Sequence, residues 1–329
     1  MDGDGSESNP YIIRDDHELQ SVTEQLDANY KLGRDINASK TVQWYNGDGF
    51  EPLGNDSTAF TGSLNGSGYI IEGISINRPS TSFIGLFGKT NSSNISNVGI
   101  ENIDVTGQSE VGGLVGNSIN SDINNSYSQG MLFGEGSFRA GGLVGYNKDN
   151  SNISYSYSNT KVQSDGNNVG GLAGKNENST IIKSYSIGDV NGSNNNLGGL
   201  VGENNNGTVS NSYSTGNVSG EKEVGGLVGE NSNGNISNSY WNSDSTITEN
   251  STDVSTDNTK SGVPLTTSQM QGSSASSSMS GFDFTDTWST LVLLLLFGAS
   301  RLPKLFNNIG KSITAFNEGR KELENDKKD

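Results

Sequence analysis

GGLVGENNNGTVSNSYSTGNVSG, residues 198–220, is the stretch that decides the fold. Its opening phrase recurs as VGGLVG at 111–116, AGGLVG at 140–145, VGGLAG at 169–174, LGGLVG at 197–202 and VGGLVG at 224–229. The central leucines, Leu114, Leu143, Leu172, Leu200 and Leu227, are 29, 29, 28 and 27 residues apart. A fixed period of this size marks a solenoid. Each copy holds three short apolar spots, in this one Leu200 with Val201, then Val209 with Tyr213, then Val218. Gly, Asn and Ser lie between them and supply positive φ angles and side-chain-to-backbone turns. Three short strands joined by tight turns make one triangular coil, and stacked coils pair their strands in parallel. The expectation is a mainly β protein, a parallel β-helix. Its repeat core is formed by the five leucines with Tyr127, Tyr157, Tyr185, Tyr213 and Tyr240. Paired glycines turn its corners, and asparagines at matching positions stack into hydrogen-bonded ladders. Single coils are not expected to fold alone, because each depends on its neighbours for burial.

Working outward, IGLFG at 84–88 followed by ISNVGIENIDVTG at 95–107 reads as a degenerate first copy, with Val98 where later copies have Tyr. Residues 10–83 read as an N-terminal cap and lead-in strands. They open with a short helix in DDHELQSVTEQLDANYKLGRDI, 15–36, whose Leu19, Val22 and Leu26 share a face. A helix there would cover the open end of the solenoid and its strand edge. The polar start, residues 1–9, reads as a disordered tip, and the Ser/Thr-rich stretch 245–281 as solenoid exit and flexible linker. The solenoid proper spans 84–244, and a membrane module spans 282–329.

Composition bounds the chemistry. Asp and Glu number 37 against 20 Lys and Arg, a net charge of −17. Such a chain lacks the basic face that nucleic acid requires. With no cysteine there is no disulfide, thiol catalysis or Cys-based metal site. The first ten residues, MDGDGSESNP, lack the basic start and apolar run of a secretory signal. The DGDG at 2–5 lacks the spacing of a calcium loop, and the one histidine, His17, falls on the terminal helix as a surface residue or cap. Polysaccharide-cleaving β-helices need carboxylates, alone or with Lys and Arg, gathered on one face. Here the positions between strands are mostly Asn, Ser, Gly and Thr, and Glu203 and Glu230 recur at equivalent positions as a solvated edge. No catalytic residue, cofactor or metal is assigned. Asn-x-Ser/Thr triplets such as those at Asn178, Asn206 and Asn235 follow from an Asn/Ser-rich composition and become glycan acceptors only after export.

The tail changes character. Leu291, Val292, Leu293, Leu294, Leu295, Leu296 and Phe297 form the one strongly apolar run and read as a short membrane helix. Alone it is too short to span. A helix from Phe282 to Phe297 reaches roughly 24 Å, against a hydrocarbon core of about 30 Å, and it would include Asp283 and Asp286. Gly298 and Pro303 form a hinge. Beyond it Leu302, Leu305, Phe306, Ile309, Ile313, Phe316 and Leu323 fall on one helical face, with Arg301, Lys304, Lys311, Arg320 and Lys321 mostly off it. A basic amphipathic helix of this kind lies on a membrane surface. Residues 300–329 carry seven Lys/Arg and five Asp/Glu, net +2, which leaves −19 for the rest. The positive-inside tendency then puts the tail in the cytoplasm.

Two resemblances follow from these motifs. GGLVGENNNGTVSNSYSTGNVSG and VGGLVGENSNGNISNSYW resemble the GLUG repeat of bacterial and archaeal surface proteins. Their flanks YIIRDDHELQSV, FTGSLNGSGYIIEGISI and GFDFTDTW are similar to the usual flanks of such arrays. This likeness covers residues 10–288 and implies a β-helical, adhesin-like surface region. Residues 289–329 resemble the TatA/TatE family of the twin-arginine protein translocase at Phe297-Gly298, Leu302-Pro303, Leu305, Gly310-Lys311, Phe316 and Gly319. That resemblance implies a short transmembrane helix, a hinge, an amphipathic helix on the cytoplasmic face and self-association with other translocase components. The chain departs from the family in carrying about 285 residues before the helix, and in having the FDFTDTW exit where the first half of the apolar helix belongs.

The expected function is therefore a membrane-associated protein-translocation module carrying a large non-catalytic solenoid. It would be single-pass, with the solenoid outside, and its partners would be membrane lipid and translocase components. The alternative is a cell-surface adhesin or structural solenoid whose tail is only an anchor and whose partners are surface glycans or proteins.

Overall fold

The computed structural model describes residues 1–136, 138–250, 252–253 and 262–284. It is a stack of parallel coils with three faces. One coil runs through the strands Val144–Lys148, Asn152–Ser154, Tyr157–Ser164 and Asn167–Gly170. The first face is a nine-stranded sheet from Tyr11–Ile13 to Asn235–Ser237, and the second a six-stranded sheet from Phe87–Asn91 to Val228–Ser232. The third face carries the tyrosine strands. Register is held residue on residue: Ile95, Ile123, Ile153, Ile181, Val209 and Ile236 stack in one column. Val115, Val144, Ala173, Val201 and Val228 stack in another. Leu114, Leu143, Leu172, Leu200 and Leu227 turn from the third face to the second and are fully buried in the central core.

The glycine pair before each of these leucines is explained by close approach. A Cβ on Gly141, Gly170 or Gly198 would sit against the carbonyl oxygen of Val144, Ala173 or Val201 three residues on, and one on Gly171 against Gly199 O of the next coil. The positive φ values fall instead on asparagine-rich corners, such as Asn97, Asn125, Asn211 and Asn238 between the first and third faces. That corner corrects the reading of the first copy. Asn97 stands where Asn125 stands, so Val98 matches Ser126, and Gly99 occupies the tyrosine position. The Tyr127 ring leans over Gly99, where a Cβ would meet it.

The expected ladders are present, and one kind was not anticipated. Asn147 Nδ2 donates to Asn176 Oδ1, Asn176 to Asn204 and Asn204 to Asn231, each at 2.8 Å. A second ladder is built by the serine before each tyrosine. Backbone N–H groups of Ser126, Ser156, Ser184 and Ser212 donate to the hydroxyls of Ser156, Ser184, Ser212 and Ser239 in the following coil. Each of those hydroxyls in turn donates to a carbonyl two residues back in its own coil, as Ser184 Oγ does to Ile182 O at 2.9 Å. Buried backbone groups at a corner with no strand pairing are thereby satisfied. The asparagine ladder has one ragged end: Asn147 Oδ1 is buried without a partner among the described residues, and the residue before it in register is Ser118. Ser118→Asn should supply the missing donor and raise stability by about 1 kcal/mol, read as a higher denaturation midpoint at unchanged m-value.

Both ends depart from expectation. Residues 1–9 are ordered: Asp2 bridges Ile12, the Arg14 guanidinium meets the Asp2 carboxylate at 2.6 Å, and Asn29 N donates to Gly5 O at 2.9 Å. The terminal helix is only Asp16–Gln20, capped by Asp15 and continued as a 3-10 turn over Ser21–Glu24. Leu19 and Val22 still enter the central core, and Leu26 packs against it. His17 is exposed and stacks on Trp44 at 5.0 Å. At the far end, residues 262–284 are folded onto the solenoid, in contrast to the flexible linker expected there. Val263–Leu265 pairs with Tyr240–Asn242, a helix spans Gly272–Ser278, and Phe282 reaches the tyrosines. The apolar residues Leu265, Met270, Met279 and Phe282 explain this, since a Ser/Thr-rich background hides a sparse but sufficient set of anchors. Burying four such side chains contributes on the order of 6–12 kcal/mol.

Candidate functional surface

The third face carries the tyrosine column on its outside. Tyr127, Tyr157, Tyr185, Tyr213 and Tyr240 were expected in the repeat core, but they form a second cluster, separate from the leucine core, with Leu265, Met270, Ala275, Met279 and Phe282. Strand alternation is the reason: Ser128, Ser158, Ser186 and Ser214 follow the tyrosines and point inward, so the tyrosines point out. In the last coil Trp241 takes the inward position and is 1% exposed. The rings of Tyr127, Tyr157, Tyr185 and Tyr213 stack at 4.7, 4.8 and 4.9 Å, nearly parallel at 5°, 2° and 8°. That separation is the spacing of paired strands, so the stack follows from the fold. Tyr127 OH ends it with a 2.7 Å bond to Glu101, and Phe282 meets Tyr240 edge-on at 5.6 Å. Burial pushes the Tyr157, Tyr185 and Tyr213 hydroxyls well above the usual tyrosine range.

The outside of the second sheet carries a charged cluster that sequence spacing did not reveal. Register brings Asn117, Tyr146, Lys175, Glu203 and Glu230 into one row and Lys148, Glu177 and Asn205 into the next. Lys175 Nζ sits 2.8 Å from Glu177 and 3.0 Å from Glu203. Tyr146 OH donates to Glu177 at 2.9 Å, and the Arg139 guanidinium lies 4.2 Å over the Tyr146 ring while bonding Glu110 at 2.7 Å. Glu230 accepts from Asn196 and Ser232. Glu203 and Glu230, expected as a solvated edge, are thus half-buried and partnered. Sequence could have found this only by aligning the copies and reading down columns, because partners lie about 28 residues apart. Glu110 (φ 54°) and Arg139 (φ 98°) also occupy a left-handed corner that Asn168 and Asn196 fill in later coils. That conformation is costly for residues other than Gly and Asn.

What this cluster offers is mutual neutralisation. Burial disfavours the Glu177 carboxylate, but its bonds to Lys175 and Tyr146 win and hold its pKa below the usual value. Burial likewise works against the Lys175 ammonium, and its bonds to Glu177 and Glu203 raise its pKa nonetheless. The signs follow from linkage. The depressed Glu177 adds stability above its unfolded value near 4.5, lost as pH falls through the folded one. The raised Lys175 adds stability below 10.5, lost as pH rises through its folded value, and the tyrosines do the same from 10.0 upward. Stability should therefore be flat between about pH 5 and 10 and fall on both sides. Glu177→Gln should flatten the acid limb and, because Lys175 then keeps only Glu203 as a carboxylate partner, soften the alkaline limb as well, as read by denaturant midpoints across pH.

The expected membrane helix Leu291–Phe297, the hinge at Gly298 and Pro303, and the amphipathic face Leu302–Leu323 all lie outside the described residues. Among the described residues no helix is long and apolar enough to cross a membrane, and no group of three or more His, Cys, Asp or Glu could hold a metal ion.

Comparison with known proteins supports both halves. The model of the GLUG motif matches residues 165–191, 193–219 and 220–248, and that of the mttA/Hcf106 family, which groups TatA, TatB and TatE, matches 290–326. Halomucin of Haloquadratum walsbyi is 39% identical over 181 residues, 52% of this chain and 2% of that protein. A protein of Evansella cellulosilytica described as a Gly-rich membrane protein is 36% identical over 126 residues, 35% of this chain and 14% of its own length. The chain thus spans a small fraction of these relatives. A crystal structure from Bacteroides ovatus, named for an immunoglobulin A1 protease, superposes with a TM-score of 0.66 at 21% identity, covering 82% of this chain and 87% of that one. At that identity the likeness is one of fold alone. The chain is a GLUG-repeat β-solenoid joined to a TatA-like segment of the mttA/Hcf106 family.

Proposed function

We propose that this is a membrane-attached surface protein whose solenoid is a rigid structural or adhesive element and whose TatA-like tail is its attachment. The observation that carries the reading is the packed exit. Residues 262–284 fasten to the solenoid flank and end six residues before the mttA/Hcf106 match begins at 290. The chain is thereby fixed to the solenoid flank as far as Phe284, shortly before that match begins. The outward rows of Asn, Ser and Thr, with the charged cluster internally neutralised, suit a hydrated surface that meets glycans or other proteins through hydrogen bonds. The GLUG repeats and the likeness to a protein described as a membrane protein support the same reading.

Protease added to intact cells tests it, with the membrane fraction blotted for both ends. The expected result is a membrane-retained chain whose solenoid is reachable from outside. Full protection of the solenoid sinks the surface reading. The second reading, a working part of a twin-arginine translocase, is favoured by the match at 290–326. Its measurement is complementation of a strain lacking that translocase, and restored export of folded substrate would put transport first.

A further inference from the structure

We infer that Tyr155 and Lys183 form a binding site for an acidic sugar unit, a hexuronate whose ring lies on the Tyr155 ring and whose carboxylate pairs with the Lys183 ammonium. The inference rests on the surface reading above and gives it a ligand class. The corner between the first and third faces is left-handed in six successive coils: Asn97, Asn125, Tyr155, Lys183, Asn211 and Asn238 all have φ between 45° and 55°. Asparagine tolerates that conformation, whereas it is costly for tyrosine and lysine. Asparagine at this corner also carries bonds. Asn125 Nδ2 donates to Asn97 Oδ1 at 2.7 Å, and Asn97 Nδ2 to Asn65 Oδ1 at 3.1 Å. Two adjacent coils therefore give up both the backbone preference and the corner ladder.

Packing does not offset that loss. Tyr155 is 47% exposed and belongs to neither apolar cluster. The pair gains only its own contact: Lys183 Nζ donates to Tyr155 OH at 3.0 Å and lies 4.9 Å from the ring centre. Cation–π contacts at exposed sites are weak. Backbone strain kept without a return in packing points to a ligand. The chemistry of the pair says which one. The exposed ring offers an apolar body beside a polar tip, which suits the C–H face and hydroxyls of a sugar. The flanking strands Asn152–Ser154, Thr180–Ile182 and Thr208–Ser210 carry no charged residue, and Tyr157, Tyr185 and Tyr213 flank the corner on its other side. Lys183 thus sets the local charge, and it is positive. Asn125, exposed in the preceding coil, commits its Nδ2 to Asn97 and keeps its carbonyl oxygen for a sugar hydroxyl. The net charge of −17 does not oppose an acidic ligand at physiological salt, where charges more than about 8 Å away are screened.

Binding of the full chain to oligogalacturonate tests the inference, with a neutral maltooligosaccharide of equal length beside it, both at about 0.15 M salt. The expected result is saturable binding of the acidic probe and roughly tenfold weaker binding of the neutral one, which lacks the charge-assisted bond. Tyr155→Asn and Lys183→Asn restore the residue that the corner prefers, so both should fold with an unchanged or raised denaturation midpoint. Tyr155→Asn should abolish binding of either probe, and Lys183→Asn should erase the preference for the acidic one. No binding by the parent, equal binding of the two probes, or binding unchanged in both variants would overturn the inference. A lowered midpoint in both variants would assign the pair to stability and overturn it as well. None of these outcomes touches the surface reading, which falls separately if protease on intact cells fails to reach the solenoid.

Discussion

Tyr185→Ala is expected to lower stability by about 3–5 kcal/mol and to split the solenoid's unfolding into two steps. The Tyr185 ring is stacked on both sides, 4.8 Å from Tyr157 and 4.9 Å from Tyr213. Its removal opens a ring-sized gap in the middle of a column whose members cannot slide, since strand pairing fixes their spacing. Tyr157 and Tyr213 each lose a face, and the hydrophobic path from Phe282 toward the N-terminal coils is interrupted. In a linear array stability is a sum of coil terms and neighbour terms. A defect at Tyr185 therefore weakens the coupling between the coils on either side. Calorimetry should show one transition in the parent and two in the variant, whereas Tyr185→Phe keeps the stack and should stay within about 1 kcal/mol. A single undisturbed transition in Tyr185→Ala would show that the stack carries no coupling.

Asn204→Ala should cost a similar amount, about 3–4 kcal/mol, by another mechanism. Asn204 is fully buried, accepts from Asn176, and donates to Asn231 Oδ1 at 2.8 Å and Gly207 O at 3.1 Å. Alanine abolishes three bonds and leaves the Asn176 amide donor and the acceptors Asn231 Oδ1 and Gly207 O without this partner. Asn204→Asp discriminates hydrogen bonding from packing. It keeps the shape but offers only acceptors where Asn231 Oδ1 and Gly207 O need donors. It should be at least as damaging as alanine at pH 7 and recover part of its stability as acid protonates it. Equal, pH-independent losses in the two variants would assign the effect to volume alone.

The architecture was legible because a solenoid writes its geometry into the sequence. The period of Leu114 through Leu227 sets the coil length, and the asparagines at matching positions form the ladder their recurrence predicts, at 2.8 Å. The joined families were equally legible, since GLUG and TatA-like motifs are local strings. What escaped were features that depend on direction or on partners in other coils. The tyrosines recur as regularly as the leucines, but periodicity alone does not say that Tyr185 points outward while Ser186 points in. The serine ladder looked like filler in a polar background, because the hydroxyl's partner is an amide 28 residues away.

By itself, then, the sequence determined that this chain coils in parallel, how long each coil is, and that GLUG repeats at 165–248 are followed by a TatA-like segment at 290–326. The spacing of apolar residues suffices for that, because a one-dimensional stack repeats the same local contacts. Only the tertiary structure decided which columns face in, that Glu110, Arg139, Tyr146, Lys175, Glu177 and Glu203 meet on one face, and that residues 262–284 fold back on the tyrosines. Those are contacts between coils and across faces. Their energy depends on side-chain direction and register, which a linear pattern records only after the stack exists to align it.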